Sequence, residues 1–412
     1  MSASGRALTV LSVLLVFTVA AAPAPNAVRL ASTRPIGTAL GDTTVPSAAA
    51  TWVTMIREAR ERVDLSHFYL SRKSGEALDP VLDELGRAAA RGVRVRLLLD
   101  AGMHRTYPQP ADSLARVPGI AVRLVDYRRL TGGVQHAKYM VVDGRDAWIG
   151  SQNLDWRALS HIHELGARLA LPEVARAFGD VFERDWVAAD TTAAAPAEVR
   201  PVRWPVRFEQ DGDHGEAWVG ASPVRTNPRS VLWDRDLLLE RIHRAEREVC
   251  AMMLSYATSG YGLTDSTLHR TLIAAAERGV RVRLIVSDWA IGGRGERDLR
   301  ALAAVPGIEV RISSVPEWSG GYIPFARVEH CKTMVVDGTW TWIGTSNWDP
   351  SYFMNSRNLG VTIRHVPTAQ RVRAIFERSW TAPSAIALGE GVTIPKRVHG
   401  ETPPPGVPFY GE

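Results

Sequence analysis

Two cysteines, Cys250 and Cys331, are all that 412 residues contain, which excludes a disulfide-stapled scaffold and any Cys-rich zinc motif. Both fall on segments expected to be strands of the second half. A bridge between them is geometrically open, beside the plainer reading of two small buried residues. Cys331 stands between His330 and Lys332 and must face away from them, which makes it a poor nucleophile or metal ligand. No Cys/His or Asp cluster at metal-ligand spacing occurs elsewhere, so neither a metal nor another cofactor is expected. Charge of one sign is also scarce. Lys and Arg number 49 against 44 Asp and Glu, and the resulting +5 is spread along helices, too little to mark a nucleic-acid-binding face by itself. After the first 22 residues, no apolar run approaches the roughly 20 residues of a membrane-spanning helix. An apolar share of 45% with 23% charged residues is that of a soluble globular chain, long enough for two ordinary domains.

What the chain does have is a long stretch that occurs twice. Gln135 to Asn153 reads QHAKYMVVDGRDAWIGSQN, and Glu329 to Asn347 reads EHCKTMVVDGTWTWIGTSN. Apolar and β-branched residues, an Asp-Gly pair, then a second apolar run predict a β-hairpin in each copy. Side chains two apart on an extended strand share a face, so His136 and Lys138 point together, as do His330 and Lys332. Ser151 and Asn153 on the return strand can join the first pair, and Thr345 and Asn347 the second. Asp143 and Asp337 face away by parity and are expected to order the turn or pair with a neighbouring segment. Two such clusters facing each other would surround one small anion with imidazoles, ammonium groups and amides, an inventory that suits phosphate.

The pattern H-x-K-x4-D-x6-G-[ST]-x-N, present twice, resembles that of the phospholipase D superfamily. Within it, GVQHAKYMVVD, GSQNLDWRALSHIHELG, IPFARVEHCKTMVVD and IGTSNW are most similar to the branch of endolysosomal spleen-type 5′-exonucleases and poxvirus relatives. The similarity runs from about Thr51 to about Trp380. It implies two homologous lobes related by a pseudo-two-fold axis, one histidine attacking phosphorus and the other protonating the leaving oxygen. It also implies an acidic or amide residue downstream of each motif to hold the imidazole. Glu164 stands eleven places after Asn153, whereas Asn358 fills the equivalent place after Asn347. On that asymmetry His136 is expected to be the nucleophile and His330 the acid and base. Lys138, Lys332, Asn153 and Asn347 are expected to bind the non-bridging oxygens, with Ser151 and Thr345 beside the substrate.

The fold expected is α/β, with mixed sheets flanked by helices, because strand and helix alternate in each half. Residues 1–22, with one positive charge before a short apolar core and small residues at 20–22, read as a signal peptide, so the mature chain is expected outside the cytoplasm. Residues 23–50 read as a loose leader, 51–190 as the first lobe, 191–229 as a linker or strap contributing a strand around 217–219, 230–385 as the second lobe, and 386–412 as a tail. His67 is a further candidate for the cleft. The rim is expected at 102–114, 288–298 and 313–325, where Tyr107, Trp289, Trp318, Tyr322 and Phe325 alternate with Arg105, Arg294, Arg297 and Arg327. Such loops suit stacked bases and a strand backbone better than acyl chains. They favour single-stranded nucleic acid as substrate over phospholipid, with phosphatidylcholine hydrolysis as the alternative. Trp156 and Trp348 are expected to pack the lobe interface. A cardiolipin synthase would be expected to carry membrane helices, and a catalytically dead binding protein would not keep His, Lys and Asn in both repeats. Nothing points to an obligate protein partner.

Overall fold

The computed structural model describes residues 27–190, 192, 199–395 and 397–411. The expected signal peptide lies outside the described residues. In the first half, strand β1 (Val28–Thr33) and helix α1 (Ala48–Glu58) precede β2 (Arg62–His67), α2 (Asp79–Ala90), β3 (Arg94–Asp100) and β4 (Ile120–Val125). The repeat then supplies β5 (Tyr139–Val142) and β6 (Asp146–Gly150), followed by β7 (Glu164–Leu169) and α3 (Pro172–Ala188). These strands form one seven-stranded sheet in the order β1-β7-β6-β5-β2-β3-β4. The core β2-β3-β4 section is parallel, as helical crossovers require, and the β5-β6-β7 meander is antiparallel.

The second half repeats this plan. It runs β8 (Val206–Gln210), β9 (Asp213–Ser222), α4 (Asp234–His243), β10 (Glu248–Met253), α5 (Thr267–Glu277), β11 (Arg281–Ser287) and β12 (Ile308–Ser313). Then come β13 (Thr333–Val336), β14 (Trp340–Gly344), α6 (Pro350–Met354), β15 (Asn358–Arg364), α7 (Val366–Thr381) and β16 (Ala385–Ala387). Its sheet order, β8-β9-β15-β14-β13-β10-β11-β12-β16, contains the first lobe's order with β9 in the place of β1.

Two boundaries differ from expectation. The stretch read as a loose leader contains β1, which pairs antiparallel with β7 and sets Thr33 opposite Glu164. Its alternating Val28, Leu30 and buried Ala31 are too short a signal to stand out among Ala, Pro and Thr. The strap supplies two whole strands: β9 runs antiparallel to β15 and places Ser222 opposite Asn358. Each strand that carries a histidine's partner is thus braced by a strand from outside the repeat.

The hairpin turns follow from their sequence. Asp143 and Gly144 take φ of 52° and 66°, Asp337 and Gly338 55° and 64°, the left-handed conformation that Asp-Gly tolerates at the centre of a tight turn. Each aspartate then accepts three backbone N–H groups from the segment entering the neighbouring strand: Arg60, Glu61 and Arg62 for Asp143, Glu246, Arg247 and Glu248 for Asp337. They are structural, holding β2 and β10 in register beside the hairpins.

The lobes share one core. Ile149, Leu165, Ala167 and Phe178 pack in a single buried cluster with Ile343, Val361 and Phe376. Cys250 and Cys331 are both buried and free, so the plainer reading of the cysteines holds. Across the interface Gly133 lies so close to Asn355 that a Cβ there would fall 2.4 Å from its carbonyl carbon.

Candidate active site

Each HxK segment leaves its own sheet and pairs with the other lobe. Gln135 bridges Arg357 and His163 bridges Glu329, both in parallel register. The His136 N–H donates to the Arg357 carbonyl at 2.9 Å, and the His330 N–H to the His163 carbonyl at 3.0 Å. These two reciprocal crossings close the lobes and bring both imidazoles to one place, where His136 is 5% and His330 7% exposed.

The imidazole partners are exchanged between lobes. Nδ1 of His330 lies 2.8 Å from Glu164 Oε2, and Nδ1 of His136 lies 3.0 Å from Asn358 Oδ1. The amide of Asn358 donates to the Tyr352 carbonyl at 2.9 Å, which fixes its oxygen as the acceptor facing His136. His136 therefore carries its proton on Nδ1 and presents Nε2 to the site. This corrects the expected assignment: Glu164 does not hold the histidine of its own lobe. The acidic residue reaches His330 because β7 continues directly from the His163 crossing, a relation between lobes that no spacing within one repeat displays.

Lys138 and Lys332 are fully buried beside the histidines, and each ammonium donates to the backbone carbonyl of the histidine two residues earlier. Burial first, then the other lysine, holds Lys138 well below its ordinary range, and burial brings Lys332 down to about 8. Burial and then the two ammonium groups hold both His136 and His330 well below 6.5. Burial pushes Glu164 up to about 8 against the pull of Lys332 and Lys138. Two lysines and two histidines are thus crowded in a desolvated pocket that disfavours their charged forms, a penalty that a bound anion would relieve.

Asn153 donates to the Tyr69 hydroxyl at 3.4 Å, and that hydroxyl donates to Asp155 at 2.7 Å. Asp155 also caps the helical turn Trp156–Ser160 and pairs with Arg157, while Asp349 caps α6 in the equivalent place. Asp155 and Asp349 are absent from the expected site residues, although Asn-x-Asp repeats in both halves and is the signal that marks them. Ser151 and Thr345 need a correction. Both are wholly buried, and their hydroxyls exchange hydrogen bonds with the backbone of Leu165 and Leu359. Thr345 also donates to Asn358 at 2.9 Å. They position the strands that carry Glu164 and Asn358 rather than face a substrate.

Around the crossings the lobes differ. Beside His136, the fully buried Arg357 fills its guanidinium with Asp185, Tyr127, Asn227 and the carbonyls of Ser222 and Thr226. Beside His330, His163 Nδ1 sits 2.7 Å from Glu329, and Cys331 Sγ lies 3.8 Å from the same nitrogen. Burial lowers the His163 pKa, but Glu329 outweighs it and holds the imidazole above its ordinary value. His67 is buried against Trp52 rather than lining the cleft, and burial pushes it down to about 3. Trp156 and Trp348 are both buried, but only Trp156 packs with residues of the other lobe, Leu254 and Val328 among them; Trp348 lies in a cluster of second-lobe residues alone, which corrects its expected place at the lobe interface. Arg327 and Tyr322, expected on the rim, are buried instead: Arg327 caps the carbonyls of Pro316 and Ile36, and Tyr322 pairs with the tail at Pro408 and Tyr410.

The family described as cardiolipin synthase, PLD-like domain, matches residues 52–186 and 238–380. The chain belongs to the phospholipase D-like family. Phospholipase D Z of Dictyostelium discoideum is 29% identical over 363 residues, covering 81% of this chain and 84% of the relative. The human 5'-3' exonuclease PLD4 is 29% identical over 410 residues, covering 88% and 76%. The crystal structure of phosphatidylserine synthase from Haemophilus influenzae Rd KW20 superposes with a TM-score of 0.60 at 14% identity, covering 82% of this chain and 85% of that one, a likeness of fold. The two-lobed α/β architecture and the superfamily expected from the repeats are thus met, and the chain is a hydrolase of the phospholipase D type. Among the described residues no helix is long and apolar enough to cross a membrane.

Proposed function

We propose that this phosphodiesterase is a secreted nuclease that cleaves single-stranded nucleic acid without a metal, through a phosphohistidine on His330. The observation that carries the reading is the exchanged pairing: a carboxylate behind His330, a neutral amide behind His136. A ring that becomes a phosphorylated cation gains from a carboxylate at its far nitrogen, whereas a ring that must give its proton away does not. His330 Nε2 attacks phosphorus, the bond to the leaving oxygen breaks, and that oxygen takes the Nε2 proton of His136. Water then gives a proton to His136 as its oxygen bonds to phosphorus and the N–P bond breaks, which restores both histidines. Lys138, Lys332, Asn153 and Asn347 hold the non-bridging oxygens and stabilise the charge of the five-coordinate transition state.

The preference for nucleic acid rests on the similarity to 5'-3' exonucleases and on aromatic side chains at the mouth. The equal similarity to phospholipase D Z supports a second reading, hydrolysis of phosphatidylcholine-like lipids. The test offers purified protein, in EDTA, labelled single-stranded DNA, RNA and phosphatidylcholine in parallel. Nucleotide release is expected; choline release without nucleotide would reverse the ranking, and loss of activity in EDTA would remove the metal-free mechanism. Quenching His136→Ala in alkaline detergent, where an N–P bond survives, after mixing with a nitrophenyl phosphodiester, whose leaving group needs no proton, is expected to trap the phosphoryl group on His330. Finding it on His136 in the converse variant returns the original assignment. Secretion is tested by sequencing the N-terminus of the protein recovered from culture medium.

A further inference from the structure

Aromatic rings collect on one side of the reaction centre only. Phe68 meets the His136 ring edge-on at 5.0 Å, Tyr69 follows at 5.6 Å from Phe68, and Tyr107 stacks on Tyr69 at 5.3 Å with 30° between planes. Tyr352 closes on His136 from the other lobe at 4.8 Å. All four are partly buried and each keeps some surface exposed to solvent. Among the described residues no ring packs on His330. Leu254, Ser255 and Ala158 take the places equivalent to Phe68, Tyr69 and Tyr352, so the row is not a by-product of the duplicated fold. We infer that Phe68, Tyr69, Tyr107 and Tyr352 form the subsite for the leaving group, and that it receives the base of the departing nucleoside by stacking.

The inference rests on the nuclease reading above and on His136 as the proton donor. The group that accepts the His136 proton lies on the His136 side, and that is the side with the rings. Charge discriminates between the aromatic-seeking leaving groups. A quaternary ammonium is held by cation–π attraction, but Lys138 already sits 5.2 Å from the Phe68 ring and Arg157 5.6 Å from that of Tyr107. A second cation there meets repulsion, while a neutral base does not. Tyr69 also donates to Asp155 and accepts from Asn153, so its ring is fixed in place and little freedom is lost when a base stacks on its neighbour.

The experiment uses two oligonucleotides that differ only at the leaving nucleotide, one with its base and one abasic, with wild type and Tyr107→Leu, and phosphatidylcholine as a third substrate. Stacking on an aromatic side chain predicts that Tyr107→Leu lowers kcat/KM about tenfold on the complete oligonucleotide and less than about twofold on the abasic one. Wild type should itself prefer the complete substrate by a similar factor, and Tyr107→Phe should keep that preference. An equal fall on both oligonucleotides, or no base preference in wild type, overturns the subsite while the nuclease reading stands. Cleavage of neither oligonucleotide with release of choline overturns both.

Discussion

The two lobes share one backbone plan but not one chemistry. Their hairpins, turn aspartates, lysines and asparagines are interchangeable, as expected of parts that make the fold and bind a symmetric anion. The residues one step further out are not. Glu164 stands against Asn358, the His163–Glu329 pair against Arg357 with Asp185, and the partly buried Phe68 and Tyr69 against Leu254 and Ser255. On the proposed mechanism, a duplicated scaffold becomes a directional enzyme where these second positions diverge, because one ring is to be stabilised as a cation and the other is to lose its proton.

The largest expected effect breaks that comparison outright. Glu164→Gln keeps the shape but puts an amide in place of the ionisable group, and should lower kcat about ten-thousandfold, the loss found when the carboxyl group behind a catalytic imidazole becomes an amide and the tautomer is no longer fixed. Asn358→Ala should cost about tenfold, since a neutral hydrogen bond to a ring is worth roughly 1–1.5 kcal/mol. Single-turnover kinetics of both variants measures the two; equal losses would mean the lobes are chemically equivalent and the direction of attack comes from elsewhere.

Arg357 is the next contrast. It is wholly buried and holds a carboxylate, a phenol and two backbone carbonyls at the crossing beside His136. Arg357→Met strands Asp185 in the core and should cost about 3–5 kcal/mol of stability. Glu329→Gln leaves a hydrogen-bonding partner for His163 and should cost about 1–2 kcal/mol. Chemical denaturation of both variants would show whether the Arg357 crossing is the stronger clasp.

Much of this was legible in the chain, and the divisions are physical. The hairpins, the shared face of His136 with Lys138 and the outward aspartates follow from strand parity and turn chemistry, which act over two to five residues. Glu164 was visible as a partner for a histidine but not for which one, because that choice is made where the chain crosses between lobes. Arg327, in a loop rich in Pro and Gly, had the composition of a surface residue, and only the carbonyls of Pro316 and Ile36 explain its burial. The strand Val28–Thr33 was hidden because an edge strand needs only a partner, here β7, and not a strong pattern of its own.

Where the lobes are alike, the prediction is likeness. Asp143→Ala and Asp337→Ala each remove an acceptor for three backbone N–H groups, and each should cost about 2 kcal/mol with kcat per folded molecule unchanged. Denaturation curves that differ by more than about 1 kcal/mol between the two would show that the turns are not equivalent braces.

The smallest expected effect is a displacement of the pH profile, and its sign follows from the assigned roles. Burial and the paired lysines hold both imidazoles well below 6.5. His330 must be neutral to attack, and its low pKa keeps it so until the pH falls well below 6.5. His136 must be protonated to donate, and its low pKa means that the competent fraction grows as the pH falls. Both requirements place the maximum of kcat/KM on the acid side of 6.5, with a further decline near pH 8 as Lys332 loses its proton. Lys332→Arg, which stays charged, should remove that last decline while leaving the acid-side maximum in place. A maximum above pH 7, or an alkaline decline unchanged in the arginine variant, would contradict the roles given to the two halves.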